Sequence, residues 1–323
     1  MTGELASAAP AATVALAVAA GSLAGPGPRV MAGLTRFRRA PFEALVVWQC
    51  VSLAGVVAAL AVAPAAVAST TLPGWATVVA LLFSGGMLAR VLWSGHRVGT
   101  RLRSERRRHG ELVDALGTHD SRTAGLAGGE VRVLAHPTPT AYCLPGRRRR
   151  VVLTEGTLLA LPADELAAVL AHERAHLRAR HDLVLEFFAV LHEAVPSRLR
   201  AVEALREVRL LVEVLADRAA RKVAGPVPLA RALVSLAGGA HPDTALGATD
   251  GTTDEGAADG GAVGGSAGDG GAADRSAGAS SATRDRMLLL TEPDASPALR
   301  MAMLAFAALV LTTPVALLAV ALG

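Results

Sequence analysis

The amino-acid sequence predicts a mainly α-helical membrane protein, with four transmembrane helices and a cytoplasmic α+β domain between the third and the fourth. Of the 323 residues, 52% are hydrophobic, yet only 3% are aromatic. The apolar residues are concentrated in long runs with few charges, and a helix needs roughly 20 such residues to cross a bilayer. Clusters of arginine between these runs indicate which segments face the cytoplasm.

Four apolar runs account for the predicted spans. Residues 44–68 and 301–322 carry no formal charge, and both are long enough to cross a bilayer. Residues 75–93 contain one charge near their end, Arg90, whose side chain can snorkel to the headgroups. Residues 8–23 are shorter and alanine-rich, so a cleaved signal peptide is the alternative interpretation. Since such a peptide starts with basic residues and Glu4 is the only charge here, we expect a retained span.

Charges in the connecting segments predict the orientation of the spans. The segment between the first two runs is rich in arginine, residues 69–74 are uncharged, and arginines again follow the third run. Positive segments stay in the cytoplasm, so residues 97–299 are expected there and both termini outside. We interpret the arginines as a solvated surface that also touches anionic lipid, rather than as a nucleic-acid site. They are Arg29, Arg36, Arg38 and Arg39, and then Arg97, Arg101, Arg103, Arg106, Arg107 and Arg108.

Composition divides the chain into four predicted parts. Residues 1–96 hold three spans, and residues 97–238 form the cytoplasmic domain. Residues 239–283 are dominated by Gly, Ala, Ser, Thr and Asp, which cannot build a core, so we expect a flexible linker. Residues 284–323 hold a short helix and the last span.

Within the cytoplasmic domain, short strands are predicted to precede a helix. Residues 130–135 and 149–154 have the pattern of strands, and residues 141–144 are a candidate third. A helix is predicted to start near Pro162, with acidic residues in its first turn, where the macrodipole favours negative charge.

That helix carries the sequence His172-Glu173-Arg174-Ala175-His176, an HExxH motif. Two histidines four residues apart lie on the same helical face, close enough to bind one zinc ion. Such an ion lowers the pKa of water toward ~7 and polarises a carbonyl group. Glu173 is the predicted general base, which then returns the proton to the departing amine.

A catalytic zinc ion needs a third protein ligand. Glu213 lies in the apolar segment 210–216, where an unpaired carboxylate is costly to desolvate, so its partner is a metal or an arginine. Asp217 follows one turn later and can accept the ring N–H of a ligand histidine, or else pair with Arg221. The remaining candidates are His181, His192, Glu193, Glu203 and Glu207, of which Glu203 and Glu207 are assigned to a solvated helix surface.

Residues 171–182, AHERAHLRARHD, together with residues 213–217, EVLAD, resemble the BlaR/MecR-type membrane metallopeptidases and their relatives of the HtpX kind. The resemblance covers most of residues 130–225 and implies a zincin fold of the gluzincin-like type. It also implies Zn²⁺ bound by His172, His176 and Glu213. Three helices before the protease domain and one after it are similar to the BlaR/MecR arrangement. The pair His181-Asp182 is interpreted as packing or helix-end polarity.

The expected function is that of a multipass membrane zinc endopeptidase of the cell membrane, and the resemblance implies a protein substrate such as a BlaI-like repressor. BlaR/MecR proteins that sense β-lactams carry an external penicillin-binding domain after the last helix. Because the sequence stops at Gly323, direct β-lactam sensing is not expected. Two alternatives stay open: an HtpX-like quality-control protease, and a non-catalytic signalling protein stabilised by zinc. Direct nucleic-acid binding is not expected, and the sequence does not predict the oligomeric state.

Overall fold

A computed structural model describes residues 2–123, 130–197, 200–236 and 283–323. The predicted linker, 239–283, lies outside the described residues except for its last position. The helices before the sheet are α1 (Thr2–Ala24), α2 (Pro26–Ala32), a 3₁₀ helix (Thr35–Arg39), α3 (Pro41–Ser69) and α4 (Gly74–Leu116). The strands are β1 (Val131–Leu134), β2 (Ala141–Leu144) and β3 (Arg150–Thr154). They are followed by α5 (Glu155–Ala160), α6 (Ala163–Ala179), α7 (His181–Ala194), α8 (Val202–Ala224), α9 (Pro226–Leu236), α10 (residues 283–291) and α11 (Pro297–Leu322).

These elements form two compact units. The first contains Met1–Arg103, Leu183–Leu215 and Glu292–Gly323, and the second contains Ser104–Asp182 and Ala216–Thr291. The boundary falls inside α8, between Leu215 and Ala216, so this one continuous helix belongs to both units.

The first unit contains the helices that are long and apolar enough to cross a membrane. In the described part of the chain these are α3, α4 and α11, and α1 with α2 forms a pair bent by 46° that can count as a fourth span. Helices α1, α3 and α11 pack together through alanines such as Ala12, Ala58 and Ala61, and small side chains let helices approach closely. The number of crossings stays a prediction.

Ion pairs join several polar segments of the first unit. Both oxygens of Glu207 accept from Arg38, Nε at 2.9 Å and Nη2 at 2.7 Å, and Glu207 is only 7% exposed. The expectation that Glu207 is solvated is therefore wrong. Arg39 pairs with Glu292, and the buried Glu43 accepts from Arg300. The interpretation of the arginines as a solvated surface is also wrong for Arg38, whose side chain is largely buried.

The second unit is built on a three-stranded sheet in the order β1-β3-β2, with β1 parallel and β2 antiparallel to β3. All three strands lie almost where the sequence predicts them. Buried residues of β1 and β3, such as Val133 and Leu153, pack in one core with Leu166 and Leu170 of α6. This packing of apolar side chains holds α6 against the sheet.

Candidate metal centre

The two histidines of the HExxH motif face each other on α6. Their Nε2 atoms are 3.0 Å apart, and both side chains are buried, His176 almost completely. Two nitrogens bound at about 2.0–2.1 Å to one tetrahedral zinc ion lie roughly 3.3 Å apart. The spacing of the two nitrogens therefore fits a shared ion after a small adjustment.

Helix α8 supplies the third donor. The ligand atoms of His172, His176 and Glu213 all lie within 4.8 Å of one another. Two imidazole nitrogens and one carboxylate oxygen are donors that suit zinc, and three protein ligands leave a fourth position open for a reactant. The donor set fits the zinc ion that the sequence predicts.

Asp217 lies one turn after Glu213 and contacts Nδ1 of His172, the ring nitrogen that does not face His176. Its Oδ1 is 2.9 Å from Nδ1 of His172, and its carboxylate also accepts from Nε and Nη2 of Arg286, at 2.8 and 2.7 Å. Burial would raise the pKa of Asp217, but the hydrogen bonds from Arg286 and His172 outweigh it and hold this pKa below its ordinary value. Asp217 is therefore an anion placed to accept the ring proton of His172.

The alternative that Asp217 is a simple partner of Arg221 does not match the structure. Arg221 instead donates to the backbone oxygen of Leu290, at 2.8 Å. The partner of Asp217, Arg286, lies on α10, and sequence reasoning missed it. No local spacing pattern could have found it, because the two residues are 69 positions apart.

The second histidine also has a partner on its other ring nitrogen. Nδ1 of His176 is 2.9 Å from Nδ1 of His181, which is 4% exposed. His181 follows Arg180, which has left-handed backbone angles (φ 52°, ψ 46°) and donates its N–H to the oxygen of His176. Because of this conformation, α6 ends at Ala179 and α7 begins only two residues later, at His181. The chain turns between them, which brings the His181 ring against that of His176. The interpretation of His181 as packing or helix-end polarity misses this contact, whereas Asp182 forms an ion pair with Arg106 at 3.4 Å.

The predicted base and the other candidate ligands have different positions. Glu173 is buried (7% exposed) on α6 beside His172. Of the other described candidates, Glu193 pairs with Arg97, Glu203 is exposed, and Glu207 pairs with Arg38. None of these three belongs to the metal-ligand group.

Comparison with known proteins points to one family of enzymes. The family model described as "Peptidase family M48" matches residues 111–300. The plastoglobule-localized metallopeptidase 48 of Arabidopsis thaliana is 32% identical over 142 residues, which are 41% of this chain and 40% of that protein. The mitochondrial metalloendopeptidase OMA1 of Schizosaccharomyces pombe is 51% identical over 53 residues, 16% of this chain and 15% of that protein. The matched regions are thus less than half of either relative, and no solved structure matches.

Proposed function

This chain belongs to peptidase family M48, and we propose that it is a multipass membrane zinc endopeptidase whose active site contains His172, Glu173, His176 and Glu213. The convergence of two histidines and a glutamate from separate helices is the observation that carries the proposal. A purely structural zinc site normally has four protein ligands. The described ligand group here has three, and the HExxH motif adds Glu173, a carboxylate that can act as a base.

The chain's own residues prepare the ligands. When bound, zinc supplies Lewis-acid chemistry that polarises a peptide carbonyl and acidifies water. Asp217 accepts the Nδ1 proton of His172, which leaves the lone pair of Nε2 free to bind a metal ion. His181 does the same for His176 by accepting from its Nδ1. Both contacts fix the tautomer and the ring orientation of a ligand.

Glu173 moves the proton in this mechanism. Its carboxylate takes a proton from the water that attacks the carbonyl carbon of the scissile peptide bond. It then gives that proton to the nitrogen as the C–N bond breaks, so a carboxylic acid and an amine leave. One residue therefore serves first as base and then as acid.

Substitution of Glu173 tests the proposal. In the full chain, Glu173→Gln should lower cleavage of a casein-like protein about 10²–10⁴-fold, because it removes the general base, while the zinc content stays unchanged. Glu165→Gln is the matched control, because Glu165 is an equally buried carboxylate on the same helix but outside the metal-ligand group. Full activity of Glu173→Gln would refute the role of Glu173 as general base, and a wild-type chain that binds zinc but cleaves no protein would favour the zinc-stabilised signalling alternative.

A second experiment tests the third ligand. Glu213→Ala should lower the zinc content of the purified chain, since two histidines alone bind the ion weakly. Glu203 is an exposed glutamate on the same helix, so Glu203→Ala should leave the zinc content unchanged. Undiminished zinc in Glu213→Ala would remove Glu213 from the ligand set.

The proposed location is the cell membrane, with the active site in the cytoplasm and both termini outside. The arginine-rich segment before α3 supports this orientation through the positive-inside rule. Its Arg38 also pairs with Glu207 of α8, which supports the proposal that this segment and α8 share one side of the membrane. A tag after Gly323 should be accessible from outside intact cells, and access from the cytoplasm alone would reverse the topology.

The proposed substrate is a transcriptional repressor of the BlaI-like kind, which rests on the resemblance to the BlaR/MecR arrangement. The alternative is membrane-protein quality control of the HtpX kind. Substrate trapping with Glu173→Gln in native membranes separates them. A single soluble DNA-binding protein supports the repressor hypothesis, and a mixture of membrane proteins supports quality control.

A further inference from the structure

Arg286 binds both oxygens of a buried carboxylate at the metal centre. Its Nε donates to Oδ2 of Asp217 at 2.8 Å, and its Nη2 donates to Oδ1 at 2.7 Å. The side chain of Asp217 is only 1% exposed and that of Arg286 only 12%. This two-bond geometry fixes the plane of the carboxylate as well as its position.

The oxygen that Arg286 holds is the one that faces the ligand histidine. Oδ1 of Asp217 lies 2.9 Å from Nδ1 of His172, so this single atom contacts both the arginine and the histidine. A carboxylate oxygen has two lone pairs and can accept from both at once. Any rotation of the carboxylate that moved Oδ1 away from Arg286 would also change its contact with His172.

We propose that Arg286 is a positioning residue of the zinc site, which sets the affinity for zinc by holding Asp217 in the orientation that His172 requires. The inference rests on the proposed function only in assigning His172 as a zinc ligand. It makes α10 part of the metal centre, although Arg286 lies 69 residues beyond Asp217 in the sequence. Arg286 acts through Asp217, to which it donates both of its hydrogen bonds described above.

The docking of α10 has anchors other than Arg286. Arg221 donates to the backbone oxygen of Leu290, and Leu290 packs against the buried cluster of Ala168, Ala220 and Leu229. Loss of the Arg286 guanidinium therefore leaves these contacts in place. Arg221→Ala is a matched control, because it removes an arginine that holds the same helix but does not contact Asp217.

The experiment measures zinc affinity of the full-length protein by competition with a chelator, a readout independent of peptidase activity. Arg286→Ala should bind zinc about 10–100-fold more weakly, the range found when outer partners of a ligand histidine are removed. Arg286→Lys should recover only part of the loss, because an ammonium group lacks the planar fork. Arg221→Ala should bind zinc like the wild type.

A double substitution shows whether Arg286 acts through Asp217. Adding Arg286→Ala to Asp217→Asn should weaken zinc binding no further than Asp217→Asn alone. Wild-type affinity in Arg286→Ala, additive losses in the double variant, or an equal loss in Arg221→Ala would each overturn the inference. If Arg286→Ala does not fold, Arg286→Lys decides: wild-type zinc affinity in that variant overturns the inference, and a partial loss supports it.

Failure of this inference can be told from failure of the proposed function. A wild-type chain that loses zinc on His172→Ala, yet cleaves no protein, would refute the peptidase and leave the role of Arg286 intact. Normal cleavage by the wild type together with wild-type zinc affinity in Arg286→Ala would refute only the positioning role.

Discussion

Helix α8 carries two buried carboxylates ten residues apart, and each is held by an arginine from a distant part of the chain. Glu207 binds Arg38 with N–O distances of 2.9 and 2.7 Å, and Asp217 binds Arg286 with distances of 2.8 and 2.7 Å. Both carboxylate side chains are at most 9% exposed. As ion pairs, the two are nearly the same.

What separates them is a third contact. Asp217 also lies 2.9 Å from Nδ1 of His172, whereas Arg38 ties Glu207 to the segment that precedes α3. The Asp217–Arg286 pair therefore contacts a residue of the metal centre. The Glu207–Arg38 pair instead joins α8 to the segment just before the apolar helix α3. Burial and pairing alone therefore do not show whether an ion pair has a structural or a functional role. That role depends on the other groups that the pair contacts.

The largest expected effect is on stability, where the two pairs should behave alike. Glu207→Ala and Asp217→Ala should each lower the free energy of unfolding by about 3–5 kcal/mol, because each leaves a largely buried arginine without its counter-charge. Chemical unfolding of the zinc-free protein in detergent measures both. A large loss for only one variant would break the likeness of the two pairs.

The next effect should separate the same two variants. Asp217→Ala is expected to weaken zinc binding about 10–100-fold, since His172 loses the acceptor of its ring proton. Glu207→Ala should bind zinc like the wild type, because Glu207 contacts no member of the metal-ligand group. Chelator competition provides the measurement, and equal losses would show that the third contact does not set the difference.

A smaller effect compares a charged partner with a neutral one. His181 contacts His176 as Asp217 contacts His172. A neutral imidazole, however, lacks the negative charge with which a carboxylate attracts the ring proton of a ligand histidine. His181→Ala should therefore weaken zinc binding at the lower end of this range, by about 10-fold. A loss greater than that of Asp217→Ala would reverse the ranking of the two partners.

The smallest effect concerns the turn that places His181. Arg180 has a left-handed conformation that costs an ordinary residue about 1–2 kcal/mol, and glycine adopts it freely but loses more entropy on folding. Arg180→Gly should therefore stabilise the fold by up to about 1 kcal/mol without changing zinc affinity. Arg180→Val should destabilise it, and thermal melting of the two variants would detect a reversed order.

Much of the fold follows local patterns and could be predicted. The three strands and the start of α6 after Pro162 lie almost where their residue patterns place them. The apolar runs lie within α1, α3, α4 and α11, since a run of this length has few other stable conformations. Within the site, His172 with His176 and Glu213 with Asp217 each follow a helical spacing of four residues, which the sequence displays directly.

Residue spacing along the chain is enough to predict which side chains share one face of a helix, because the helical repeat is a local property of the backbone. The same spacing does not predict the partners of Glu207, His176 and Asp217. Those partners are Arg38, His181 and Arg286. The position of His181 depends on the left-handed conformation of Arg180, which the sequence does not signal because the residue is not a glycine. The two arginines come from segments far away along the chain. These contacts follow from the tertiary fold, because the pairing of buried polar groups depends on which helices pack together.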